Sequence, residues 1–130
     1  KVYIAGNGSD EIIEVNTALW EITNRINTGK GPYNIDISAD GKFLVATLKS
    51  DAKTLVWELD KKTPSIISNN STVPHGVVIS PDSKYAFVTV EGVGGDPGLV
   101  DVIDLEKAKV VSSVNIGKQA GGIAFWKIEE

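Results

Sequence analysis

Gly31-Pro32-Tyr33-Asn34-Ile35-Asp36-Ile37-Ser38-Ala39-Asp40-Gly41-Lys42-Phe43-Leu44-Val45-Ala46 returns 42 residues later as Val73-Pro74-His75-Gly76-Val77-Val78-Ile79-Ser80-Pro81-Asp82-Ser83-Lys84-Tyr85-Ala86-Phe87-Val88. Each copy has a Pro, an apolar run, a short polar turn and a second apolar run behind a Lys. In the turn, Asp can bond its own backbone and Gly tolerates positive φ, so the two runs read as a tight hairpin. Working outward, Lys1-Val2-Tyr3-Ile4-Ala5 lines up with Lys42-Phe43-Leu44-Val45-Ala46, 41 residues on. A third copy of the first half begins at Ala120-Gly121-Gly122-Ile123-Ala124-Phe125 and stops.

Each repeat divides into four short strands, A to D. Strand A is expected at 34–38, 76–80 and 122–126, and strand B at 2–5, 42–48 and 84–90. Strand C is expected near 11–16, 54–60 and 99–105, and strand D near 20–27, 65–68 and 109–115. Alternation of apolar and polar residues is clearest in C and D, as in Ile103-Asp104-Leu105. A helical reading fails because no window keeps apolar residues at helical spacing without Gly or β-branched residues intervening. A period of about 40–45 residues with four strands per unit is the signature of propeller blades.

The sequence therefore predicts an all-β chain, a β-propeller of three four-stranded antiparallel blades forming part of a ring. One blade (1–30) supplies strands B-C-D, two more occupy 31–72 and 73–118, and 119–130 adds a closing A strand. The parent ring would have seven blades, or six by dimerisation. The missing blades come from the same chain or from a second copy. With no Met and a start at Lys1, inside the repeat, the chain is expected to be a processed product or a portion of a longer one.

These motifs resemble the YVTN-type β-propeller repeats of surface-layer-like and other exported proteins. The resemblance covers the whole chain. It rests on Lys1-Val2-Tyr3-Ile4-Ala5-Gly6-Asn7, on Gly31-Pro32 with Ile37-Ser38-Ala39-Asp40-Gly41-Lys42, on Pro74-His75-Gly76 with Ile79-Ser80-Pro81-Asp82, on Lys84-Tyr85-Ala86-Phe87-Val88-Thr89 and on Val102-Ile103-Asp104-Leu105. It implies an exported binding or interaction module, extracellular or periplasmic. It also brings two alternatives, a lactonase-like hydrolase and a subunit associated with haem or electron transfer, since such proteins share the repeat. A fold hosts sites without dictating them.

Composition narrows the chemistry. A net charge of −4 without any basic cluster excludes a nucleic-acid surface. No apolar run approaches the roughly 20 residues a membrane helix needs. With no Cys, thiolate metal sites and cysteine nucleophiles are excluded. A single His and a single Arg leave few ways to build a nucleophile–base pair, so no catalytic residue, metal or cofactor is assigned and binding is preferred to catalysis.

The candidate site follows from topology. In an up-and-down blade the D–A connections and B–C hairpins share one rim. The A–B turns on the other rim are short and alike. The B–C connections lengthen along the chain, ending in Glu91-Gly92-Val93-Gly94-Gly95-Asp96-Pro97-Gly98. Variable loops on a repeating scaffold carry function. The expected ligand-binding residues are His75, Tyr33, Glu91, Asp96, Asn7 and Asp51, facing a small molecule or a protein. His75 and Tyr33 also have a purely structural reading, as packing at the start of strand A. The Gly-rich loop lacks the strand–loop–helix context of a phosphate cradle and reads as a flexible hairpin. Glu91, Asp96, Asp10 and Asp51 could converge on Ca²⁺, although solvated loop carboxylates are the commoner outcome. Trp20, Trp57 and Trp126 read as packing between blades. Asn7-Gly8-Ser9, Asn69-Asn70-Ser71 and Asn70-Ser71-Thr72 match the N-glycosylation pattern in loops expected to tolerate a glycan.

Overall fold

The computed structural model describes residues 1–129. Among these residues, eleven strands form three antiparallel sheets, each a simple meander. The first holds β1 (Val2–Gly6), β2 (Glu11–Asn16) and β3 (Glu21–Asn27). The second holds β4 (Pro32–Ile37), β5 (Phe43–Leu48), β6 (Lys53–Glu58) and β7 (Ser65–Ser68). The third holds β8 (Pro74–Ile79), β9 (Tyr85–Val90), β10 (Leu99–Asp104) and β11 (Lys109–Asn115). These are the blades of an all-β propeller. Residues 122–126, where a twelfth strand is expected, join no ladder.

The blades stack face to face, and the middle one is apolar on both sides. All six residues of β5 are buried. Leu44, Ala46 and Leu48 join Leu55 and Trp57 of β6 in a cluster that takes Ile12 and Tyr3 from the first blade. The alternate residues Phe43 and Val45, with Val56, face the third blade and pack on Ala86, Val88 and Ile103. A continuous apolar run is what a strand covered on both faces requires. The outermost strands β3 and β11 are almost wholly exposed, with polar Thr23, Asn24, Arg25, Ser112 and Ser113 discouraging edge-to-edge pairing.

Burial corrects the alignment of the first repeat. A one-residue slip exchanges the two faces of a strand. Tyr3 and Ile12 face the second blade, while Val2 and Ile4 are exposed on the outer flank. Val45 faces the third blade, and Phe87 stacks on Phe125 beyond it. Tyr3 is therefore the counterpart of Val45 and Phe87, and the repeat is 42 residues at both steps. Two of the tryptophans also depart from expectation. Trp57 is buried between blades, but Trp20 lies in a turn with φ +57° and Trp126 projects into solvent.

A threonine links each inner hairpin to the next blade. The ladder between inner strand and neighbour shifts register just after Pro32 and again after Pro74. Thr47 Oγ1 fills the gap by accepting from Asn34 N at 3.0 Å and donating to His75 O at 2.9 Å. Thr89 Oγ1 repeats this one blade on, accepting from Gly76 N at 2.8 Å and donating to Gly121 O at 2.5 Å. At Gly76 the approach is so close that a Cβ would lie 2.6 Å from Gly121 O. The opposite rim is held by Ser38 Oγ donating to Asp40 and Ser80 Oγ donating to Asp82, both at 2.6 Å.

Glu14 gives the first blade a pH-dependent component of stability. Its nearly buried carboxylate accepts from Thr23 Oγ1 at 2.6 Å and Tyr3 Oη at 2.8 Å, with Lys1 Nζ at 3.0 Å. The Thr23 hydroxyl first, then Lys1, hold its pKa down from 4.5 to about 2. Burial, then the Glu14 contact, pushes the Tyr3 phenol up to about 12. A depressed folded-state pKa stabilises the fold above the unfolded value of 4.5 and is lost as pH falls from there toward 2. Because Lys1 is solvent-screened, the expected contribution is about 1–2 kcal/mol. Urea unfolding of Glu14→Gln and the parent should converge as pH is lowered from about 5 to about 3. A constant stability gap across that range would contradict the assignment.

Candidate functional site

The rim that collects the B–C hairpins and D–A connections brings Tyr33, His75 and Glu91 together, along with Lys49. The 42-residue period explains the grouping. Tyr33 and His75 are the same position in successive repeats, as are Asn7, Lys49 and Glu91, each the first residue beyond strand B. Adjacent blades thus present opposite charges in one slot. Lys49 Nζ donates to Glu91 Oε1 at 3.3 Å, and His75 Nε2 lies 3.5 Å from the same oxygen. The Tyr33 and His75 ring centroids are 4.7 Å apart at 58°, and Lys49 Nζ sits 4.5 Å from the centre of the Tyr33 ring. His75, Lys49 and Glu91 are half-buried, and Tyr33 is exposed beside them.

The backbone behind this cluster is fixed. His75 O accepts from both Asn34 Nδ2 at 3.0 Å and Thr47 Oγ1 at 2.9 Å. Glu91 N donates to Val73 O at 3.0 Å, which pins the start of the long hairpin to the start of β8. Val73 has φ +64°, and its counterparts Gly31 and Gln119 have +67° and +54°. A left-handed conformation suits Gly31, but for β-branched Val73 it stores about 1–3 kcal/mol of strain. That strain lies within two residues of His75. The imidazole also keeps one group in reserve: His75 Nδ1 is buried and has no hydrogen-bond partner.

The other expected residues lie elsewhere. Asn7 sits beside Gly31, where a Cβ would come 3.3 Å from its Nδ2. Asp51 Oδ2 accepts from Lys30 N at 2.6 Å. Asp10 accepts from Gly31 N at 2.9 Å and pairs with Lys30 Nζ at 2.6 Å, and the Lys30 contact first holds its carboxyl below the usual range. These two carboxylates anchor the connection into β4. Asp96 is exposed at the hairpin tip. Of the four acids weighed for Ca²⁺, Asp10 and Asp51 thus meet at Lys30, while Glu91 pairs with Lys49 and Asp96 stays exposed, and no trio of metal-binding side chains occurs among the described residues. Lys49 joins this cluster, and its 42-residue offset from Glu91 is legible in the sequence.

A hollow of about 260 Å³ opens on the opposite rim, lined by Asp40, Lys42, Asp82, Lys84, Tyr85 and Asp104 among others. Its carboxylates already serve the turns: Ser38 and Ser80 first hold Asp40 and Asp82 below their usual range, and Lys107 does so for Asp104. Polar groups satisfied from within have little left for a ligand. The His75 rim is different in that one of its buried polar atoms is free.

The fold defines a protein of the β-propeller class. Solved structures of similar architecture include hydrazine synthase of Kuenenia stuttgartiensis, with TM-score 0.81 and 26% identity over 88% of this chain and 34% of that one. A functionally unknown protein from Desulfotomaculum acetoxidans superimposes with TM-score 0.78 and 22% identity, over 94% of this chain and 38% of that one. U3-55K does so with TM-score 0.77 and 15% identity, over 91% and 36%. The chain therefore spans little more than a third of each of these three structures. No family model and no curated protein sequence matches it. No helix among the described residues is long and apolar enough to cross a membrane.

Proposed function

We propose that the chain is an exported binding module of the YVTN type whose rim, at Tyr33, Lys49, His75 and Glu91, receives a polar small molecule or a protein segment. The observation that carries this reading is the buried, unpartnered His75 Nδ1 beside a paired Lys49 and Glu91. Buried polar atoms in native proteins are usually bonded to protein or ordered water, so one left open at a rim is a place where a ligand's polar group can bond. The strained Val73 next to it and the lengthening hairpins support the same rim. Export, to the cell surface or periplasm, rests on the resemblance of the repeats.

Amide and imidazole NMR mapping during a screen of metabolites and periplasmic or surface proteins tests the proposal. Ligand-induced shifts should cluster on Tyr33, Lys49, His75 and Glu91, and His75→Ala with Glu91→Ala should weaken binding at least tenfold. Shifts confined to the Asp40 and Asp82 turns would refute it. The 3.5 Å approach of His75 to Glu91 also favours one alternative, an acid–base pair in a lactonase-like hydrolase. Turnover of sugar lactones that disappears in His75→Ala would replace the binding reading with that one.

A further inference from the structure

His75 and Lys49 share one acceptor, and the sharing fixes where the imidazole proton sits. His75 Nε2 lies 3.5 Å from Glu91 Oε1, the oxygen that also accepts from Lys49 Nζ at 3.3 Å. A carboxylate paired with an ammonium only accepts, and a neutral imidazole carries one proton. With that proton on Nδ1, the Nε2 lone pair would face the carboxylate and be repelled by it. With the proton on Nε2, the same long contact is attractive. Nε2 is therefore the N–H, and the buried, unpartnered Nδ1 is a bare acceptor.

The charges around the ring narrow what that acceptor can take. Tyr33, Lys49 and Glu91 are the side chains that meet it, from β4, from the end of β5 and from the hairpin after β9. Lys49 opposes a second ammonium in the cluster. Glu91 and the Nδ1 lone pair oppose an anion, because like charges placed together cost several kcal/mol. What remains is an uncharged group that carries a proton. Every side chain in this cluster belongs to the second or third blade, each complete with four strands.

We propose that the His75 rim selects uncharged ligands that present a hydroxyl or an amide N–H to His75 Nδ1. This sharpens the binding reading above and rests on it. Nitrogen NMR of the imidazole in the free protein, above the pH at which His75 titrates, should find the proton on Nε2. Four small probes then separate the ligand classes by NMR titration: methyl glucoside for hydroxyls, acetamide for amide N–H, methylammonium for cations and inorganic phosphate for anions. Methyl glucoside or acetamide should move the Tyr33, Lys49, His75 and Glu91 signals, and the two ions should bind at least about tenfold more weakly. The stronger of the two uncharged probes tells a hydroxylated small molecule from a peptide segment. A second proton on His75 turns Nδ1 into a donor and adds positive charge, so phosphate should gain on the uncharged probes in acid. Glu91→Gln removes the charge that opposes phosphate and should bring the same gain without acid. A proton on Nδ1 in the free protein, or an ion as the preferred probe at the rim, overturns this selectivity and leaves the rim a binding site. Probes that shift only the Asp40 and Asp82 turns, or shift nothing, overturn the selectivity and the binding reading together.

Discussion

Asp101→Ala is expected to destabilise the fold by about 3 kcal/mol, because it strands several donors to a buried carboxylate at once. Asp101 is wholly inaccessible. Its oxygens accept from Asn69 Nδ2 at 3.0 Å, Asn70 N at 2.9 Å and Asn70 Nδ2 at 2.8 Å. Asn69 Oδ1 in turn accepts from Thr54 Oγ1 at 3.0 Å, so one network ties β6 and the end of β7 to β10. The corresponding slot holds Leu55 in the second blade and Ile13 in the first, each opposite the same residue of strand B. A carboxylate in an aliphatic slot survives only if it is fully hydrogen-bonded. Asp101→Leu restores the aliphatic type but leaves the same donors unsatisfied, so it should recover only part of the loss. Asp101→Asn keeps the shape with one acceptor and should fall between parent and alanine. Urea midpoints for the three variants would sink this account if Asp101→Ala stayed within about 0.5 kcal/mol of the parent.

The same network bears on glycosylation. Asn69 and Asn70 both lie in acceptor patterns that the sequence places in tolerant loops. Their side-chain nitrogens are instead spent on Asp101. A glycan on either would break the link between the second and third blades.

How far the sequence could be read depended on whether a property repeats. The paired apolar runs and Ser-x-Asp turns repeat, so the propeller class and nearly every strand followed from them. The facing of β1 did not follow, because Lys1-Val2 imitates Lys42-Phe43 in type. The packing of Tyr3 against Trp57 and the exposure of Val2 and Ile4 reveal the one-residue slip. Asp101 was visible as a charge between Leu99 and Ile103, on the buried phase of β10, but its donors come from the preceding repeat. At the rim, Tyr33, His75 and Glu91 converge because each stands at a fixed place in the 42-residue unit. Asn7 shares the Glu91 slot yet lies one blade further off. Asp51 is taken up by the backbone of Lys30, and Asp96 sits at the tip of a loop with no counterpart in the other repeats.

Trp57→Ala should cost about 3–5 kcal/mol, the range for truncating a buried aromatic side chain. It should also uncouple the first blade from the second. The indole is buried among Leu44, Leu55 and Ile12, meets the Tyr3 ring edge-on at 6.4 Å, and donates from Nε1 to Lys61 O at 2.9 Å. In a repeat protein each unit is stabilised chiefly by its neighbours, and three strands alone make a marginal sheet. Loss of this contact should therefore release β1–β3 first. Amide signals from that blade should disappear at lower urea than those of β8–β11, whereas the parent should show one coincident transition. Trp57→Phe keeps most of the apolar volume and loses the Lys61 hydrogen bond, so it should cost only about 1–2 kcal/mol and keep the transitions together. Trp20 and Trp126 are exposed, so Trp20→Phe with Trp126→Phe leaves Trp57 as the sole fluorescent reporter of the interface. If Trp57→Ala unfolds in a single step with a loss below about 1 kcal/mol, the two blades are held together by something other than this side chain.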